Sequence, residues 1–153
     1  MAQLIQINIS LGGVPKNPVH QAKITRLGIE GDKQKHTKYH GGPDKAVCLY
    51  SLERIMTLQR EGHSIWPGAV GENLTISGLD WEKVTPYSQI SIGEEVMLEV
   101  TEYAVPCGQI KEWFNNQKST RISQDHYPGW ARVYCRVLQE GTVHPGDRVQ
   151  IRV

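Results

Sequence analysis

The chain is short of cysteine, of net charge and of uninterrupted apolar sequence. Its three cysteines cannot all pair with one another. Met1-Ala2-Gln3-Leu4-Ile5-Gln6 has neither the basic start nor the apolar run of a secretory signal. Reduced thiols and a cytoplasmic location are therefore expected. Seventeen Lys and Arg against sixteen Asp and Glu leave a formal net charge of +1. That field is too weak to argue for nucleic acid or an anionic membrane, although a local basic pocket survives such averaging. Charges and glycines interrupt every apolar run well short of the ~20 residues a spanning helix needs. Neither a nucleic-acid nor a membrane partner is expected; a small-molecule ligand is. No repeat, low-complexity tract or composition shift divides residues 1 to 153, which read as one domain. A chain of this length buries roughly 70% of its unfolded surface, enough to hold a core without disulfides or a structural metal.

What the chain does have is fifteen glycines and eight prolines spread along its length, the pattern of short strands joined by tight turns. Ile5, Ile7 and Ile9 alternate with polar residues, as do Val96, Leu98 and Val100 with Met97 and Glu99, so each segment predicts a half-buried strand. Residues 22–27, 46–50, 72–76, 133–138 and 148–153 predict five more. This is a mainly β fold, and seven short strands suit a closed β-barrel. Two helices interrupt it. Ser51 can cap a helix carrying Leu52, Ile55 and Met56, stopped by Gly62. A shorter one starts near Gly108, puts Ile110, Trp113 and Phe114 on one face and ends at Asn115-Asn116.

Cys107, in Val105-Pro106-Cys107-Gly108, precedes that second helix, whose unpaired N–H groups and dipole would favour a thiolate. A thiolate can ligate a soft metal or carry sulfur; a buried, inert cysteine is the alternative. Cys48 and Cys135 lie in apolar strand segments and read as core residues. The segment richest in chemistry runs from Gly28-Ile29-Glu30-Gly31-Asp32 through His36 to His40-Gly41-Gly42-Pro43-Asp44-Lys45-Ala46-Val47. Its glycines admit a ligand close to the backbone, Lys45 could pair with a phosphate, and Asp32 or Asp44 could hold a ring N–H donor. Solvated surface turns are the plainer reading. His36 and His40 have the i, i+4 spacing of a zinc pair, but Gly41-Gly42-Pro43 argues against a helix there. Arg132 and Arg136 could face an anion from a strand. The sequence offers neither paired carboxylates nor a serine–histidine arrangement, so hydrolase chemistry is disfavoured. Trp66 and Trp81 are either contact-surface or core aromatics.

Several of these segments occur together in one order: Gly28-Ile29-Glu30-Gly31-Asp32, the His40–Val47 turn, Gly68-Ala69-Val70-Gly71-Glu72-Asn73-Leu74-Thr75, Pro106-Cys107, and Pro128-Gly129-Trp130 followed by Gly141-Thr142-Val143 and Gly146-Asp147. Together they resemble the MOSC domain, the C-terminal domain of molybdenum cofactor sulfurases, which also occurs as small stand-alone bacterial proteins. The resemblance covers most of the chain. It implies a distorted closed β-barrel with a few short helices that binds the molybdenum-pterin cofactor or handles its sulfur. Cys107 matches the family cysteine, as metal ligand and catalytic residue, and a soft thiolate suits both molybdenum and a persulfide. Asp32, His40, Gly41, Gly42, Asp44, Lys45 and Asn73 would line the pterin and phosphate pocket, with Arg132 a further phosphate partner.

The implied activity is reduction of N-hydroxylated substrates; the alternatives are a sulfur carrier or transferase using a Cys107 persulfide, and a non-enzymatic cofactor-binding module. Relatives resembling the N-hydroxylaminopurine-resistance proteins commonly carry a basic residue before the Pro-Cys pair, where this chain has Ala104-Val105, so that anion contact is either missing or supplied elsewhere. The sequence contains no pyridoxal-phosphate desulfurase domain and no ferredoxin-like cysteine cluster. Pyridoxal phosphate is not expected, and electrons or sulfur would come from a redox partner or a cysteine desulfurase.

Overall fold

The computed structural model describes residues 1–33 and 42–152. Its strands are β1 (Gln3–Ile9), β2 (Asn17–Val19), β3 (Ala22–Thr25), β4 (Gly28–Ile29), β5 (Val47–Ser51), β6 (Leu74–Ser77), β7 (Gln89–Ile92), β8 (Val96–Tyr103), β9 (Val133–Gln139), β10 (Gly141–Val143) and β11 (Val149–Arg152). A single α-helix among the described residues, α1 (Leu52–Arg60), follows β5 directly. No helix among them is long and apolar enough to cross a membrane.

Eight strands form one sheet in the order β11-β7-β8-β9-β5-β6-β1-β2, and β10-β3-β4 form a second. All pairings are antiparallel except that of β5 with β6. The expectation of a mainly β fold with few short helices holds, but the closed barrel does not. The large sheet has two edges, β11 and β2. Its curl brings Arg148 to an isolated bridge with Gln3, bracketed by Leu4 N–H to Asp147 O at 2.8 Å and Val149 N–H to Ala2 O at 3.0 Å. A ladder would be needed to close the sheet.

Alternation correctly identifies the buried face of β8, where Val96, Leu98 and Val100 enter the core. In β1 it fails. An irregularity between Leu4 and Gln6 in the pairing with β6 shifts the parity, so Leu4 and Ile7 are fully buried while Ile5 and Ile9 are only partly so. Helix α1 begins as expected, with the Arg54 N–H donating to Ser51 Oγ at 3.1 Å. Gly62, just beyond its end, adopts φ 97°. The second helix is instead a six-residue 3-10 turn, Gly108–Trp113. It still buries Ile110 and the following Phe114.

Strand β5 has two faces that its apolar sequence conceals. Val47 and Leu49 join the main core with Cys135, whereas Cys48 and its register neighbour Tyr134 form a separate small cluster with Ala104. That second face leads to the candidate site.

Candidate functional site

Two cavities meet at Cys107. The first is lined by Lys16, Cys48, Gln109, Arg132 and Tyr134 together with Gly13, Val14, Val70 and Gly71. The second is lined by Lys45, Glu102, Tyr103, Val105 and Pro106. Cys107 and Tyr134 line both. Cys107 is half-buried and free. It occupies the N-cap of the 3-10 turn without capping it through its side chain. So short a turn has little dipole; the cationic side chains that share a cavity lining with Cys107 are Arg132, Lys16 and Lys45.

Arg132 precedes β9 and is only 4% exposed. Its Nη1 donates to Val70 O at 2.7 Å, while Nε has no partner among the described residues. Gln109 Nε2 is likewise buried without a partner. Buried donors are nearly always satisfied, so two orphans on residues that line one cavity favour an acceptor-rich ligand. Glu72, two residues after the Val70 that accepts from Arg132, lines neither cavity. It is fully buried with Oε1 unpartnered, and burial pushes its carboxyl up to about 7, against the smaller opposing effects of hydrogen bonds and Arg132.

Lys16 carried no sequence signal, yet it is a buried cation at the first cavity. Asp32 holds it at 2.7 Å, both side chains 4% exposed. The Lys16 backbone N–H donates to Gly68 O at 2.9 Å. Gly68, at φ 93°, lies so close that an added Cβ would stand 2.5 Å from the Lys16 carbonyl oxygen. Asp32 also accepts from the Ser10 N–H at 2.9 Å and from Asn73 Nδ2 at 3.0 Å. Asn73 is itself fully committed to bonds within the protein. Its Oδ1 accepts from the Cys48 N–H at 2.9 Å and its Nδ2 also reaches Asn8 O at 3.3 Å. Asp32 and Asn73 were expected to line a ligand pocket; in the structure they hold the groups behind it.

The other expected residues disperse. Lys45 lines the second cavity, 3.6 Å from Glu102 and over the Tyr134 ring. Asp44 is exposed, 3.4 Å from Arg136, and it and Gly42 line neither cavity. His36, His40 and Gly41 lie outside the described residues. Arg136 is paired with Asp44 and Glu99 on the surface. No group of three or more metal-ligating side chains occurs among the described residues. Cys135 is a core thiol, as expected. Cys48 is buried and its thiol pushed up to about 11 by desolvation, yet it also borders the first cavity. Trp81 is buried with its Nε1 bonded to Ala131 O at 3.0 Å, whereas Trp66 is partly exposed against Trp113.

The MOSC domain family model matches residues 36–150. YflK of Bacillus subtilis is 33% identical over 142 residues, covering 91% of this chain and 62% of that protein. YiiM of Escherichia coli is 32% identical, covering 67% of this chain and 47% of that protein. A protein of Gibberella moniliformis named "Reductase" is 28% identical over 81% of this chain and 22% of its own length. The chain thus spans less than two thirds of each of these relatives. Among solved structures, YiiM of Geobacillus stearothermophilus superposes with a TM-score of 0.72 at 25% identity, over all of this chain and 76% of that one. YUAD of Bacillus subtilis superposes with a TM-score of 0.78 at 19% identity over 99% and 96%, a likeness of fold alone. With the family model matched over most of its length and YflK one third identical across nearly all of it, this chain belongs to the MOSC domain family.

Proposed function

We propose that this protein binds the molybdenum-pterin cofactor, with Cys107 as a ligand to the metal, and reduces N-hydroxylated substrates. The supporting observation is that Arg132 and Gln109, which line a cavity together with Cys107, each carry a buried donor, Nε and Nε2, with no partner among the described residues. A phosphate-bearing, acceptor-rich group fits that donor set. Arg132 and Lys16 would hold its phosphate, and Asp32 and Asn73 keep Lys16 in place. When bound, the group supplies a two-electron redox centre beside the second cavity.

There Tyr103, Pro106 and Tyr134 form walls, and the Lys45–Glu102 pair supplies polar contacts to orient a substrate. The net reaction breaks the N–O bond, consumes two electrons and two protons and releases an amine and water. The electrons come from a partner redox protein.

Full-length protein from a host that makes the cofactor should carry molybdenum and releasable pterin. Cys107→Ala and Arg132→Met should lose both with an unchanged circular dichroism spectrum. Wild-type molybdenum in Cys107→Ala overturns ligation. A single added sulfur on Cys107 after treatment with a cysteine desulfurase, in protein free of molybdenum, favours the sulfur-carrier reading instead.

A further inference from the structure

The second cavity differs in character from the first. Tyr103, Val105, Pro106 and Tyr134 line it with Cys107, so its walls are rich in carbon and carry two aromatic rings. The first cavity has one aromatic side chain, Tyr134, beside Lys16, Gln109 and Arg132. Both tyrosines are shared walls. Tyr134 also lines the first cavity, and Tyr103 also lines a third, with Trp81, Gln124 and Pro128.

Both rings are supported by the fold. Tyr103 ends β8 and packs, partly buried, against the main core. Tyr134 lies opposite Glu102 in the pairing of β8 with β9 and clusters with Cys48 and Ala104. Thr101 Oγ1 stands 2.5 Å from Asp44 O and 3.1 Å from Tyr134 O, which ties the turn carrying Lys45 to β9. Lys45 Nζ lies 5.5 Å from the centroid of the Tyr134 ring. Walls fixed in this way lose little freedom when a ligand enters.

We propose that Tyr103 and Tyr134 make the second cavity selective for an aromatic ligand, so that the substrate it takes is an aryl hydroxylamine rather than an alkyl one. The N-hydroxyl part of this inference rests on the reductase reading; the aromatic part rests on the cavity walls. A flat ring makes stacked or edge contacts with tyrosine that a puckered saturated ring of the same size does not make. Those contacts correspond to about a two- to tenfold preference in Kd. Tyr103 and Tyr134 are thus specificity-determining residues, which set what kind of ring enters beside Cys107.

Phenylhydroxylamine and N-cyclohexylhydroxylamine are matched probes, alike in ring size and in their N-hydroxyl group. Their binding to the full chain, free of metal, is followed by NMR at the methyl signals of Val105, which lines the same cavity and is exposed. Phenylhydroxylamine should bind about two- to tenfold tighter. The preference should shrink in Tyr103→Leu and in Tyr134→Leu, and should persist in Tyr103→Phe and Tyr134→Phe, which keep the ring. Should Tyr134→Leu not fold, Tyr103→Leu and the two Phe variants decide. Equal affinity of the two probes in the wild type, an undiminished preference in Tyr103→Leu, or its loss in the Phe variants overturns the proposal and leaves metal ligation by Cys107 standing. No response of Val105 to either probe overturns the cavity as a substrate site too. If the binding preference holds but cofactor-loaded protein, supplied with reduced viologen, reduces neither probe, the reductase reading falls and the aromatic selectivity stands.

Discussion

Asn73→Ala should destabilise the fold severely, although Asn73 lines neither cavity. The change removes the acceptor for the Cys48 N–H at 2.9 Å and the donor to Asn8 O at 3.3 Å and Asp32 Oδ2 at 3.0 Å. Each buried polar group left without a partner costs about 1–3 kcal/mol. The Asn8 contact is the longest, and Asp32 keeps Lys16 and Ser10, so the total should fall near 3–5 kcal/mol. At roughly 2–4 °C per kcal/mol for a chain of this size, the Tm drops by about 6–20 °C. Asn73→Asp keeps an acceptor for Cys48 but sets a carboxylate oxygen against Asp32, where the amide now donates. It should be no more stable than Asn73→Ala at neutral pH and should recover as the pH falls and the two carboxyls share a proton. Urea denaturation of the three proteins at pH 5 and 7.5 measures this. A loss below ~1 kcal/mol in Asn73→Ala, or wild-type stability of Asn73→Asp at pH 7.5, refutes the assignment of Asn73 as the tie between strands β1 and β5 and Asp32.

Native protein should react with a thiol reagent at Cys107 alone, because Cys48 and Cys135 are buried with their thiols raised by desolvation; equal native labelling of Cys48 by peptide mapping contradicts this. Asp32→Asn leaves the Lys16 ammonium buried without its counter-charge and should cost about 3–5 kcal/mol in urea unfolding; a loss within ~0.5 kcal/mol, the range of ordinary surface changes, is the contrary result. Glu72 holds its proton more tightly folded than unfolded, so between pH 4.5 and about 7 the native state binds more protons. Stability therefore falls as pH rises through that window, by up to about 3 kcal/mol. The difference between wild type and Glu72→Gln should shrink toward pH 4, and a constant difference sinks the argument.

Sequence reasoning worked where local pattern and structure share a cause. The Ser51 cap, the buried face of β8 and the loop position of Cys107 are all set within a few residues. It missed β2, β4 and β10, strands of two or three residues that are too short to show a period and exist by pairing with neighbours. It missed β7, whose Ile90 and Ile92 alternate over only four residues. The parity of β1 was unreadable because its irregularity depends on β6, far along the chain.

At the site, the motifs show which residue types stand together but not what each side chain bonds to. Asn73 and Asp32 stand out in glycine-rich motifs, yet their partners lie far away in sequence and bind them within the protein. Lys16 stands in no motif, and its partner Asp32 is 16 positions on. Gln109 and Glu72 became conspicuous only through atoms left unpartnered on burial, which no spacing reveals.

The bond between sulfur and metal is the point on which the functional account turns. X-ray absorption at the molybdenum edge, on cofactor-loaded wild type and on Cys107→Ser loaded in the same host, measures it. The account predicts one fewer sulfur neighbour around the metal in whatever cofactor the variant retains; an identical sulfur count at full occupancy would contradict it.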